Sequence, residues 1–186
     1  MLPQKSFYMI RHGESVANRD GYFSGNLDVE LTNTGKQQAV KARTTFESLP
    51  IKPTIIIHSH LSRARDTASI INAGYQLPMI ETHLLGEHHF GDWEKMPWQD
   101  VRPAFLAGQN PPNGESHEDF KNRCHKGFQF ALKHEGTPLI VCHGGVFRGF
   151  SALYGKEMHG ITNCTLYSFD VYESEPDFPW KITLIE

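Results

Sequence analysis

The chain has 186 residues, of which 39% are hydrophobic and 21% charged, with a formal net charge of −3. On a scale of about 150 residues per domain, that length predicts a single domain over 1–186, and the composition excludes disordered and fibrous classes. The mild acidity supplies no global basic field, so neither nucleic acid nor an anionic membrane is an expected partner.

Taken in chain order, short β-rich runs alternate with helical periods. Phe7–Ile10 reads as a buried strand ended by Arg11-His12-Gly13. From Asn33 to Leu49, apolar residues at Ala39, Val40, Ala42, Phe46 and Leu49 keep helical spacing until Pro50 and Pro53. Ile55-Ile56-Ile57 is β-branched and continuous, as in a strand covered on both faces. A helix is expected over 62–73 with Gly74 as its stop, then a short strand at Met79-Ile80. Residues 84–114 predict loops around one short helix near Trp98–Ala107. A longer helix follows over 116–134, then a third buried strand, Leu139-Ile140-Val141, and a helix from Gly144-Gly145 to about Tyr154. Residues 165–171 and 181–185 read as final strands joined by a polar, Pro-containing loop. The alternation predicts an α/β three-layer sandwich: a mostly parallel central sheet with helices on both faces and room for an antiparallel edge.

The N-terminal apolar run is too short for a signal peptide or a spanning helix. Cys124, Cys142 and Cys164 are too few and scattered for a disulfide framework or a zinc ribbon. Both readings point to a cytoplasmic protein in a reducing compartment.

Three buried strands end abruptly in polar clusters: Arg11-His12-Gly13-Glu14-Ser15, His58-Ser59-His60-Leu61-Ser62-Arg63 and Cys142-His143-Gly144-Gly145. If the strands are parallel, these clusters share the sheet edge where open α/β sheets bind ligands, beside helix N-termini suited to anions. Arg11, Arg63, His12 and His143 would then form a dense positive site, which favours phosphate. Arg63 and Arg65 lie about 200° apart around a helix, so only one can face the crevice. Ala64 and Ala68 mark the packed face, and Arg63 is nearest the strand end; Arg65 reads as a surface or ion-pair residue.

The ordered motifs go further. Arg11-His12-Gly13-Glu14-Ser15 with Asn18, Leu31-Thr32-x-x-Gly35-x-x-Gln38-Ala39, Leu61-x-Arg63-Ala64-x-x-Thr67-Ala68, Glu87-x-x-x-Gly91-x-Trp93-Glu94, Pro112-x-Gly114-Glu115-Ser116 and Val141-x-His143-Gly144-Gly145 cover about 6–170. Together they resemble the histidine phosphatase superfamily, the phosphoglycerate-mutase-like group, in its small phosphatase branch. One departure is His60, where the family often has Pro.

The resemblance implies a mechanism. His12 is the expected nucleophile, attacking phosphorus in line to give a phosphohistidine. Arg11, Arg63 and His143 are the expected clamps on the phosphoryl oxygens. Glu87 is expected to protonate the leaving oxygen and then activate water. Asn18, Ser24, Gly25, Asn26 and Gly144 are further candidate phosphate or substrate contacts. No metal and no cofactor are implied, and the expected partner is a small-molecule phosphate ester.

Several motifs carry competing readings. His58-x-His60 and His88-His89 invite a metal reading but lack the usual ligand spacing. Glu14, Glu94 and Glu115 are explained at least as well by helix-start charge or structural hydrogen bonds. Phe90, Trp93, Trp98 and Phe105 fit a substrate lid or packing beneath a loop. A mutase is the alternative activity; the resemblance associates it with a longer insertion after the acid–base Glu, whereas Glu87 and Gly114 enclose only 26 residues here. A non-catalytic phospho-ligand binding module is the other alternative. Nothing in the pattern declares an oligomeric state.

Overall fold

The computed structural model describes residues 2–172 and 177–185. Six strands, β1 (Phe7–Arg11), β2 (Ile55–Ser59), β3 (Met79–Thr82), β4 (Pro138–Cys142), β5 (Leu166–Val171) and β6 (Trp180–Ile185), form one sheet in the order β3-β2-β4-β1-β5-β6. The first four in space are mutually parallel. β5 runs antiparallel to β1, and β6 antiparallel to β5, which makes the expected antiparallel edge. Part of the polar loop expected between the last two strands, residues 173–176, lies outside the described residues.

Successive residues of each central strand enter different cores, because side chains alternate across a strand. Tyr8, Ile10, Ile56, Leu139 and Val141 pack on one face with Ala42 and Phe46 of α2 (Asn33–Ser48) and Ala64, Ala68 and Ile71 of α3 (Ser62–Asn72). Phe7, Met9, Ile57 and Ile140 pack on the other with Phe120 and Phe128 of α5 (His117–Leu132) and Phe147 and Phe150 of α6 (Gly144–Ala152). Burial on both sides is what made 55–57 and 139–141 continuous apolar runs. The three-layer sandwich is therefore present as expected. No helix among the described residues is long and apolar enough to cross a membrane.

Two helices complete the set. α4 (Trp98–Leu106) is the short helix expected in the 84–114 segment. α1 (Val16–Asp20) was not anticipated, since five residues are too few to show a period. It is held locally instead: the Ser15 hydroxyl accepts from Asn18 N–H, and Asn18 Oδ1 accepts from Ser15 N–H.

Phe150 shows how strongly the aromatic core is knitted. Its ring meets Phe128 at 4.5 Å, Phe169 at 5.3 Å, Trp180 at 5.5 Å and Phe7 at 5.6 Å between centroids. We expect Phe150→Ala to lose about 3–5 kcal/mol of unfolding free energy, read from urea unfolding with an unchanged slope. A loss below about 1 kcal/mol would mean that this core is not close-packed.

Candidate active site

β4 lies between β1 and β2, so the C-terminal ends of all three meet at one sheet edge. His12 N–H donates to the Cys142 carbonyl at 2.9 Å, extending the β1–β4 ladder by one residue. Gly13 N–H donates to Thr67 Oγ1 at 3.0 Å, tying the turn to α3. These backbone bonds leave the His12 ring beside that of His143, with centroids 5.0 Å apart.

The ring proton of His12 can be assigned from its partner. Nδ1 lies 2.7 Å from the Gly13 carbonyl, which only accepts, so Nδ1 carries the hydrogen. Burial, with the nearby Arg63 and Arg11 charges, holds the His12 pKa well below the ordinary histidine value. The ring is therefore neutral, with its Nε2 lone pair available. His143 is neutral for the same reasons: burial first, then Arg63, His12 and Arg11. Its Nε2 sits 2.8 Å from Ser59 Oγ, which already accepts from Leu61 N–H at 3.2 Å. The Ser59 hydroxyl proton is then free for Nε2, and we assign the His143 hydrogen to Nδ1.

Both arginines reach the site tethered by their outer nitrogens. Arg63 is fully buried and donates from Nη1 to the Leu27 carbonyl and from Nη2 to the Gly25 carbonyl, each at 2.8 Å. Arg11 donates from Nη1 to the Ile161 carbonyl at 2.7 Å. Burial pulls the Arg63 guanidinium down to about 10, still charged at neutral pH, and lowers Arg11 in the same direction. Four buried side-chain nitrogen or oxygen atoms among the described residues lack a hydrogen-bond partner, and three are Arg11 Nε, Arg63 Nε and His143 Nδ1. Buried donors without partners are costly, and these three belong to the groups expected to hold a phosphoryl group.

Asn18 is oriented by what occupies its oxygen. Oδ1 accepts from Ser15 N–H and from Asn163 Nδ2, each at 3.1 Å, which leaves the Asn18 amide nitrogen free to donate. Asn163 also donates to the His12 carbonyl at 2.8 Å. Sequence reading passed over Asn163 because it lies in an irregular segment just before β5, where no periodicity marks it.

Glu87 is half-buried at the N-terminus of α6. Its Oε1 accepts from His88 N–H at 2.8 Å and its Oε2 from Gly145 N–H at 3.0 Å. A Cβ on Gly145 would fall 1.9 Å from Oε1, so any larger residue there has to displace the carboxyl. Burial pushes its pKa up, but the Arg148 charge, the two backbone N–H groups and Arg63 outweigh that and leave it below the usual carboxylate value. Glu87 therefore rests as a carboxylate.

The remaining candidates divide. The Gly25 carbonyl holds Arg63, and Arg11 Nε lies 3.6 Å from where a Gly144 Cβ would stand. Ser24 and Asn26 enter through their backbones: the Ser24 carbonyl accepts from Leu27 N–H, and Asn26 N–H donates to Glu94 Oε1. Arg65 is exposed and pairs with Asp66 at 3.1 Å. Glu14 accepts from the Thr32 hydroxyl, and Glu115 pairs with Arg123 at 2.8 Å. His88 stacks between Phe90 and Phe120, with Nε2 against the Glu115 carbonyl at 2.7 Å. Phe90 is buried against Phe23 and Phe105, which is packing, whereas Trp98 is exposed.

A family model, histidine phosphatase superfamily (branch 1), matches residues 7–180. Phosphoglycerate mutase-like protein 4 of Arabidopsis thaliana is 31% identical over 90% of this chain and 80% of its own length. The adenosylcobalamin/alpha-ribazole phosphatase of Escherichia coli (strain K12) is 32% identical over 75% of this chain and 73% of its own. Among solved structures, a mycobacterial glucosyl-3-phosphoglycerate phosphatase complexed with VO3 superposes with a TM-score of 0.83 at 25% identity, covering 97% of this chain and 98% of that one. Sequence and fold agree that the chain belongs to the histidine phosphatase superfamily, branch 1.

Proposed function

We propose that this protein is a phosphomonoesterase that hydrolyses a small phosphorylated metabolite through a phosphohistidine on His12. The observation that carries this reading is the set of three unpartnered buried nitrogens, Arg11 Nε, Arg63 Nε and His143 Nδ1, gathered at the edge that presents a neutral imidazole. Relatives named as phosphatases support it. The free thiols, two of them buried, support a cytoplasmic setting.

His12 Nε2 attacks phosphorus as the P–O bond to the alcohol breaks. Arg11, Arg63 and His143 stabilise the charge on the non-bridging oxygens, and Asn18 donates its free amide. The leaving oxygen takes a proton from Glu87. Water then attacks the phosphohistidine and returns a proton to Glu87, inorganic phosphate departs, and His12 is neutral again. The resting carboxylate suits the second step; the first draws on the protonated minority of Glu87.

Three outcomes test this. Phenyl phosphate should be hydrolysed, and His12→Ala should lower kcat by at least about 10³-fold. Acid-labile label on His12 in quenched reactions is expected, and phosphate transfer between phosphoglycerates faster than its release would make the protein a mutase instead.

The pH dependence follows from the two depressed groups. Because the His12 pKa lies well below 6.5, the nucleophile stays neutral as pH falls through that value. Because the Glu87 pKa lies below 4.5, its protonated fraction grows about tenfold per pH unit on acidification above that point. Phenyl phosphate kcat/KM should therefore rise as pH falls from 8 towards about 5.5. An NMR titration of the His12 ring with its midpoint at about 6.5 would contradict a neutral buried His12.

Glu87→Gln should flatten that rise and lower kcat by about 10²–10⁴-fold. Gly145→Ala, whose methyl collides with Glu87, should behave like it, with wild-type circular dichroism. Activity near wild type in Glu87→Gln would remove Glu87 from the chemistry.

A further inference from the structure

Against His88, the residue that follows Glu87, lies a cavity of about 380 Å³ that the phosphate chemistry does not use. Its wall includes His88, Phe105, His117, Phe120 and Arg148. The volume is of the order that small-molecule sites occupy, about 300–1,000 Å³.

Chain geometry puts this cavity on the leaving-group side. Glu87, whose carboxyl meets the leaving oxygen, is followed directly by His88 in the wall. Gly145, which donates to Glu87, lies three residues before Arg148 on the same helix, and Gly144 four before. Residues three and four apart share a helix face, and helical side chains lean towards the N-terminus. Arg148 therefore leans back over the turn that carries Gly144 and Gly145, where no side chain intervenes.

The charge pattern within the cavity is selective. Glu118 is paired with Lys121 and Glu157 with His159, each at 2.8 Å. Among the described residues, half-buried Arg148 has no ion pair and no side-chain hydrogen bond, and exposed Lys156 at the rim adds a second cation. The Arg148 guanidinium lies 5.8 Å from the centroid of the Phe105 ring. That contact engages no N–H group, so the guanidinium donors remain for an acceptor. A carboxylate fits that fork with two parallel bonds.

We propose that this cavity receives the alcohol part of the substrate, and that Arg148 pairs with a carboxylate on it. The preferred substrates are then phosphomonoesters whose leaving group carries a carboxylate and a planar or apolar body. This rests on the phosphate site described above. Arg148 is also the strongest charge drawing the Glu87 carboxyl down, so the group that reads the substrate also sits beside the group that protonates it.

The test separates the two readings by measuring binding without turnover. In His12→Ala protein, calorimetry compares phenyl phosphate with its 3- and 4-carboxyphenyl counterparts. At least one carboxylated ester should bind tenfold or more tightly than phenyl phosphate, and adding Arg148→Met should abolish that preference. Removing Arg148 also alters Glu87, which affects all three esters alike, so the ratio isolates the contact. Arg148→Lys should restore only part of the ratio, because an ammonium lacks the fork. Equal binding of the three esters, or a preference that survives Arg148→Met, overturns the inference. Turnover of phenyl phosphate by unmutated protein stands apart: its failure would sink the phosphatase reading, and the binding ratio would still decide the role of Arg148.

Discussion

Burying a guanidinium costs several kcal/mol unless hydrogen bonds and an opposite charge compensate, and this protein buries Arg63 fully and Arg11 in part at one sheet edge. Arg11 and Arg63 are tethered by the carbonyls of Ile161, Gly25 and Leu27, which satisfy N–H groups but carry no net charge. Glu87 is the main carboxylate balancing both. Much else at the site follows from that excess of positive charge. Burial first, and that charge second, keep the imidazoles of His12 and His143 neutral, and the charge also draws down the proton affinity of Glu87. An incoming phosphate ester supplies the missing negative charge, so binding and electrostatic relief are the same event.

The tethers depend in turn on residues that do no chemistry. Glu94 Oε1 accepts from Asn26 N–H at 2.8 Å and from Phe90 N–H at 3.1 Å, joining the 24–27 loop to the segment after Glu87. That loop includes Gly25, whose backbone φ of +46° and close approach to Glu94 both demand glycine. Gly25 and Leu27 then present the carbonyls that aim Arg63. A carboxylate bonded to backbone N–H groups thus helps to direct the proposed phosphate clamp.

The sequence discloses the parts of this arrangement that repeat or alternate. Continuous apolar runs named the three central strands, because both faces of the sheet are covered. The angular argument on α3 separated buried Arg63 from exposed Arg65 without any tertiary information. What it could not disclose depends on one-off contacts. Asn163 is an irregular-segment residue until its amide is seen between His12 and Asn18. Ser59 looks like the end of a strand until its hydroxyl meets His143. Arg148 is a lone charge in a helix otherwise apolar, which reads as a solvent-facing position. With His60 where the family often has Pro, the start of α3 is held by Ser59 Oγ on Leu61 N–H and by Asp28 on Ser62 N–H at 2.7 Å.

In the proposed reaction Glu87 changes charge twice in one cycle, and backbone donors suit such a group. A side-chain partner such as lysine would fix the carboxylate and oppose its protonation strongly. The N–H groups of His88 and Gly145 do not titrate, and each can still donate to an oxygen of the neutral acid. Position is thereby separated from charge. The charge is set by what stands further off: Arg148 and Arg63 favour the anion, while a bound phosphate, carrying about −1.5 to −2 near neutral pH, favours the acid. Substrate arrival thus promotes the proton uptake that its own leaving group needs. Departure of the alcohol leaves Glu87 as the carboxylate that the attacking water requires.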